Sequence, residues 1–269
     1  MTVRRDAPVR LLQVTDPHLF GDESRTIYGV QTAVSFRRVL QQALATDALR
    51  PQAILVTGDI ADDLTPQAYA NFRRALEPYR LPVYCLPGNH DDPAIMPGLL
   101  AHDGVQYGGT AVFGAWGAVL LDTHVHDRPE GRVAPAELER LDRELERLHD
   151  RPVIVCLHHP PLPVGSAWLD TVGLTNRDEV WAVIDRHPSV RLMLAGHVHQ
   201  VFEGWHRNVR VVATPSTCAQ FTPGTERCIM DMRPPGYRWL ELRPDGSVHT
   251  EVEWLQDWAV AERPPDDRF

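Results

Sequence analysis

Lysine is absent from this 269-residue chain: all 27 of its basic residues are arginine. That excludes a lysine-dependent phosphate loop, Schiff-base chemistry and a lysine general base. Any phosphate handled here must meet metals, histidine, arginine or backbone amides. Cysteine is scarce as well. Cys85, Cys156, Cys218 and Cys228 contain no Cys-x-x-Cys pair, which argues against a disulfide framework and for a reducing cytosol. No apolar run approaches the ~20 residues of a membrane span, and residues 1–8 carry Arg4 and Arg5 with no signal-length apolar stretch behind them. The expectation is a cytoplasmic protein without a membrane partner. A basic surplus is missing too: the net charge of −9 argues against nucleic acid as a partner.

What is present suffices for one large core, since hydrophobic residues make up 43% of the chain and a chain of this length buries roughly three quarters of its unfolded surface. Residues 9–15 read as a first strand, and 29–48 as an amphipathic helix with Val30, Val34, Val39, Leu40 and Leu44 at helical spacing. Residues 53–57 and 83–86 are apolar runs that read as buried strands. Thr65 is an N-cap with Pro66 at the first helical position, followed by Tyr69, Phe72 and Leu76 on one face. A hairpin is expected from 110–113 and 118–121 around Gly114-Ala115-Trp116-Gly117. Leu138, Leu141, Leu145 and Leu148 mark a helix over 134–148. Strands follow at 153–157 and 190–195, with a helix between them capped by Asn176. Residues 209–213, 237–242 and 247–252 look like antiparallel strands. Alternating strands and helices giving way to strands predict layered α/β architecture with mixed sheets. We expect a single domain over 9–255, with mobile termini at 1–8 and 256–269.

Five polar motifs punctuate these runs: Asp16-Pro17-His18, Gly58-Asp59, Gly88-Asn89-His90-Asp91, His158-His159-Pro160 and Gly196-His197-Val198-His199. Four follow an apolar run and the second closes one. Asp16 and His18 are expected to alternate on an extended strand exit and so point the same way, as are His197 and His199 after a tight turn at Gly196. Carboxylate with imidazole suits Mn, Fe, Zn and related ions. Asp59 has two oxygens with which to bridge a pair of cations, and Asn89 offers a neutral oxygen. Together the motifs supply enough ligands for two divalent metals, which points to an enzyme acting on phosphate esters.

This order of motifs resembles the calcineurin-like metallophosphoesterase superfamily. More narrowly, residues 16–20, 158–166, 214–221 and 235–239 resemble bacterial class III phosphodiesterases that hydrolyse 3′,5′-cyclic AMP. The likeness runs from about Val9 to Val252. It implies an α/β fold of two mixed β-sheets packed face to face and flanked by helices. It implies one metal on Asp16, His18, Asp59 and His199, and a second on Asp59, Asn89, His158 and His197. Fe2+ and/or Mn2+ are the expected cofactors, and a cyclic nucleotide, as a small phosphodiester, is the expected substrate. Two such ions acidify a bridging water for attack on phosphorus. His90 is then the expected proton donor, oriented by Asp62 or, alternatively, by Asp91; Asn89 and His90 are expected at the substrate, and His159 either there or packed behind the ligands. Residues 161–175 are a candidate wall, with Trp168 and Phe221 candidates for stacking on a base. Asp122, His124 and His126 lie nearby in sequence. A glycerophosphodiesterase or broad-specificity phosphodiesterase of the same superfamily and, more distantly, a non-catalytic interaction module are the rival readings. A homodimer is left open.

Overall fold

In the computed structural model, which describes residues 7–46, 50–101 and 104–258, the chain forms two six-stranded mixed sheets. It begins with β1 (Val9–Val14), β2 (Thr26–Ile27), β3 (Val30–Gln31), α1 (Thr32–Ala43), β4 (Ala53–Val56) and α2 (Pro66–Leu76). It continues with β5 (Val83–Cys85), α3 (Met96–Leu100), β6 (Val105–Tyr107), β7 (Gly109–Phe113), β8 (Trp116–Leu120) and α4 (Pro135–Arg147). Next come β9 (Val153–Cys156), α5 (Ala167–Thr171), α6 (Arg177–Ile184), β10 (Val190–Ala195), β11 (Phe202–His206) and β12 (Val209–Ala213). The chain ends with β13 (Gln220–Phe221), β14 (Met230–Asp231), β15 (Gly236–Leu242) and β16 (Val248–Trp254).

One sheet has the order β16-β15-β1-β4-β5-β6 and the other β11-β12-β10-β9-β8-β7. Each contains four adjacent parallel strands with antiparallel strands at the margins. Alternation along β1 shows the layering: Leu11 faces Ile154, Leu192 and Leu194 of the other sheet, while Leu12 and Val14 face α1 and α2. A second helical layer of α4 and α6 covers the other sheet through Leu141, Leu145, Val180 and Ile184. Strands covered on both faces need apolar residues at every position, which is why they appear as unbroken runs.

Several expected boundaries move. The helix predicted over 29–48 begins at Thr32 instead, because Tyr28 and Gly29 both take positive φ (48° and 75°) and close a tight hairpin pairing Thr26 with Gln31; Ala48 lies outside the described residues. The turn expected over 114–117 occupies only Gly114 and Ala115, since Trp116 and Gly117 already pair in β8. The segment between β5 and β7 contains α3 and β6, both too short to show a period. Strand β12 is antiparallel to β11 but parallel to β10. Thr65 does cap α2, its side chain accepting from the Ala68 N–H at 3.2 Å. Asn176 starts α6 without capping it; its amide pairs instead with the Val133 N–H (3.0 Å) and carbonyl (2.9 Å). Residues 1–6 and 259–269, most of the predicted mobile termini, lie outside the described residues.

Candidate metal centre

Five of the parallel strands, β1, β4, β5, β9 and β10, end at one edge of the sandwich, and each passes directly into one of the five motifs. This is the usual place for an α/β site. The local backbone is not the extended exit that the spacing suggested. Asp16 (φ 50°), His18 (46°), Asp59 (52°), His197 (68°) and His199 (46°) are all left-handed. For residues other than glycine this costs ~1–2 kcal/mol each, so the surroundings must hold them. Asp16 N–H bonds to the Gly58 carbonyl at 3.1 Å, His18 N–H to that of Asp59 at 2.9 Å, and Gly196 N–H to that of His158 at 3.0 Å. The glycines serve close approach. Gly196 lacks a positive φ; a Cβ there would strike the Thr15 hydroxyl and lie 2.8 Å from Asp16 Oδ2. A Cβ on Gly88 would collide with the Asp59 carboxylate.

Each of four imidazoles gives one ring nitrogen to a protein oxygen and turns the other inward. His158 Nδ1 lies 2.7 Å from the Thr57 carbonyl, His199 Nδ1 2.8 Å from that of Ala219, and His197 Nε2 3.0 Å from that of Val172. His18 Nδ1 lies 3.1 Å from Asp62 Oδ1. These acceptors place the ring N–H on the outer nitrogen, a bracing typical of metal-ligating histidines. The inward nitrogens then meet other acceptors. His18 Nε2 and His199 Nε2 are 3.1 Å apart. Asn89 Oδ1 lies 3.1 Å from His158 Nε2 and 2.9 Å from His197 Nδ1. Asp59 Oδ2 sits between the two groups, 3.3 Å from His158 Nε2 and 3.6 Å from His18 Nε2. Asp16 Oδ1 approaches His199 Nε2 at 3.4 Å. Lone pairs converging in this way repel unless cations lie among them, and the ligand atoms of Asp16, His18 and His199, and of Asp16, Asp59 and His158, lie within 4.8 Å of one another. The donor set fits two divalent ions.

Electrostatics agree. Burial would raise the Asp59 pKa, but His158, His90 and His18 outweigh it and hold the carboxyl well below the ordinary range. Burial opposes charge on His158, yet Asp59 and Asp16 prevail and lift its pKa to about 9, so a proton takes the place of a cation. His197 is held neutral by burial and by His159 and His158.

His90 lines the cavity above these groups, half-exposed, with Nδ1 3.3 Å from Asp62 Oδ1. Asp62 therefore braces both His90 and His18. Asp91, the alternative partner, is committed elsewhere: its carboxylate accepts the N–H groups of Ile60, Ala61 and Gly88 at 2.9–3.1 Å and the Tyr69 hydroxyl at 3.2 Å. His159 does not line the cavity and stands behind the ligands, the other of its two expected places. It is buried, with Nδ1 on the Thr123 hydroxyl (2.8 Å) and Nε2 on the Pro129 carbonyl (3.0 Å). Burial and His158 lower its pKa to about 3, so it remains a neutral ring packed under His197. Asp122, His124 and His126 do not line the cavity.

The cavity holds about 380 Å³. One side is the polar cluster; the other is an apolar wall of Ile27, Tyr28, Trp168, Leu169, Val172 and Phe221. Segment 161–175 supplies part of that wall through α5, as expected. Phe221 stacks on the His199 ring (4.7 Å, 16°) and meets Trp168 edge-on at 5.0 Å. Ile27 and Tyr28 escaped the sequence reading, because Tyr28 takes a left-handed φ (48°) that no usual hairpin turn pair announces.

The profile of the calcineurin-like phosphoesterase family matches residues 9–201. The chain is 39% identical over 248 residues to a 3′,5′-cyclic-nucleotide phosphodiesterase of Nostoc sp., a match spanning 91% of this chain and 92% of that one. It is 38% identical over 258 residues to the 3′,5′-cyclic adenosine monophosphate phosphodiesterase CpdA of Escherichia coli K12, covering 94% and 92% of the two chains. A solved dimetal phosphatase from Danio rerio superposes with a TM-score of 0.66 at 16% identity, over 92% of this chain and 99% of the other, a likeness of fold.

Proposed function

Because the chain belongs to the calcineurin-like phosphoesterase family, we propose that it is a binuclear-metal phosphodiesterase hydrolysing 3′,5′-cyclic AMP to 5′-AMP. The observation that carries this reading is Asp59 Oδ2 lying within 3.6 Å of inward nitrogens from both clusters. In this reading Asp16, His18, Asp59 and His199 hold one ion, and Asp59, Asn89, His158 and His197 the other. When bound, such a pair offsets phosphate charge and acidifies a shared water. Nitrogen and oxygen donors without a thiolate support Fe2+ and/or Mn2+.

Water adds to phosphorus, the bond to the 3′ oxygen breaks, and that oxygen must receive a proton. His90 is suited to give it. Burial opposes its charge, but Asp59 and Asp62 raise its pKa, Asp62 through the contact that also fixes the ring. With Nδ1 on Asp62, Nε2 is left for the leaving oxygen. Asn89 and His90 both line the cavity and are placed to touch the phosphate. The apolar wall favours a nucleoside diester over a glycerol diester, since a flat base has an area to bury against Tyr28, Trp168 and Phe221 that glycerol lacks. We take 9–255 as one domain, closed by β15 pairing with β1. We place the protein in the cytoplasm on the absence of a Cys-x-x-Cys framework; no helix among the described residues is long and apolar enough to cross a membrane.

The test is a set of steady-state rates for the Mn-loaded enzyme on cyclic AMP, cyclic GMP, a glycerophosphodiester and a phosphomonoester. Cyclic AMP among the poorest would overturn the substrate reading. Wild-type protein that retains no divalent metal would instead favour a non-catalytic module.

A further inference from the structure

Two sequence segments, 214–221 and 235–239, contribute no ligand, yet they meet in the interior. Arg238 of β15 is buried, and its partners are neutral oxygens: Thr214 Oγ1 at 2.8 Å, the Ala213 carbonyl at 3.0 Å and Thr250 Oγ1 at 3.1 Å. Burial, with help from Arg210, lowers its pKa to about 10, and Glu203 offsets part of that. A cation kept inside without a carboxylate against it is costly.

The chain of bonds continues toward the metal centre. The Thr214 hydroxyl donates to Gln13 Oε1 at 2.6 Å. The Gln13 amide donates to Thr57 Oγ1 at 3.0 Å and to the Ala195 carbonyl at 3.1 Å. Thr57 directly precedes Gly58-Asp59, and its own carbonyl braces His158. Ala195 directly precedes Gly196-His197. Arg238, Gln13 and Thr57 belong to one sheet or its exit loop, and Ala213, Thr214 and Ala195 to the other. The network therefore crosses the sandwich repeatedly, just beneath the edge where ligands from both sheets converge.

Most of the remaining inter-sheet contact is apolar, from Leu11, Leu55, Ile154, Leu192, Phe113 and Trp116; its directional bonds lie at a margin, where Trp116 Nε1 donates to the Arg243 carbonyl at 2.7 Å, and in the ligand loops themselves. Apolar packing is non-directional, so it tolerates small slides of one sheet over the other. Directional hydrogen bonds do not. We propose that Arg238, Thr214 and Gln13 are positioning residues that fix the register of the two sheets beneath the candidate metal centre, and with it the spacing of the ligand side chains that would hold two ions. This rests on the binuclear reading above.

The experiment compares the wild-type chain with Arg238→Met and Thr214→Val after loading with Mn2+. Ion stoichiometry, electron paramagnetic resonance of the bound Mn2+, steady-state kinetics and Tm are measured on each. Wild type is expected to show two ions with a spin-coupled signal. The variants are expected to lose that coupled signal in favour of isolated-ion spectra, and to lose about tenfold in Mn2+ affinity and in kcat with KM little changed. A purely structural network would lower Tm and leave the coupling and kcat of the folded protein intact; that result overturns the inference. If Arg238→Met does not fold, Thr214→Val, which removes one hydroxyl from a side chain of the same shape, decides alone. Fewer than two ions in wild type would overturn the binuclear reading, and this inference with it.

Discussion

The two clusters of the proposed metal centre share Asp59 but are otherwise built from unlike material. The first adds a second carboxylate, Asp16, and one of its imidazoles, His18, is braced by the carboxylate of Asp62. The second adds the neutral carboxamide of Asn89, and both of its imidazoles are braced by backbone carbonyls, of Thr57 and Val172. Ligand charge sets how strongly a hard cation is held. The first cluster is therefore the tighter anchor, while the second leaves more positive charge available to a bound phosphate. That contrast can be broken or sharpened experimentally.

The largest effect is expected where the clusters join. Asp59→Ala removes the shared carboxylate, so metal analysis should find that neither ion is retained, with kcat down by more than ~10³-fold; a fully loaded variant would refute the bridge. His90→Ala touches neither cluster's donor atoms. It should keep both ions and lose ~10²–10⁴-fold in kcat, because only the proton for the leaving oxygen is gone. Asp62→Asn should separate the clusters: affinity for the first ion falls ~10–100-fold through His18, while the second ion is retained. The same change removes a carboxylate that raises the His90 pKa. The acid is lost as pH rises through that pKa, so the alkaline limb of kcat should move to lower pH than in wild type.

Acidity offers a gentler probe. His158 in the second cluster binds a proton below about pH 9, and an ion must displace it. Affinity for that ion should fall about tenfold for each pH unit below 9, read by Mn2+ titration at several pH values. The smallest effect lies outside both clusters: Tyr28→Ala should raise KM for cyclic AMP ~10-fold or somewhat more, by the loss of base contact, with ion content unchanged.

Much of this centre was legible in the chain itself because its ligands sit within a few residues of strand ends. An apolar run followed by Gly-Asp or Gly-His announces both the buried strand and the loop that carries the donor. Asp62, three residues beyond Asp59, could be named only through the family resemblance, which left Asp91 as its alternative. His159 could not be assigned from sequence, since its fate depends on Thr123 and Pro129, 36 and 30 residues away. The left-handed backbone at Asp16, His18, Asp59, His197 and His199 was also hidden, because nothing in a short motif reports that its neighbours compensate for a strained φ. Tyr28 was missed because the helix expected from Gly29 concealed the Tyr28-Gly29 turn.

Sequence alone determined the ligand chemistry: which side chains are carboxylate, imidazole or amide, in what order, and that every one follows a strand. Tertiary structure alone decided which nitrogen of each histidine faces inward, how the ligand backbone bends, and what closes the cavity. Side-chain type is a local property. Orientation here is imposed by hydrogen bonds such as that of His158 to the Thr57 carbonyl, 101 residues away, and such partners meet only when the two sheets pack.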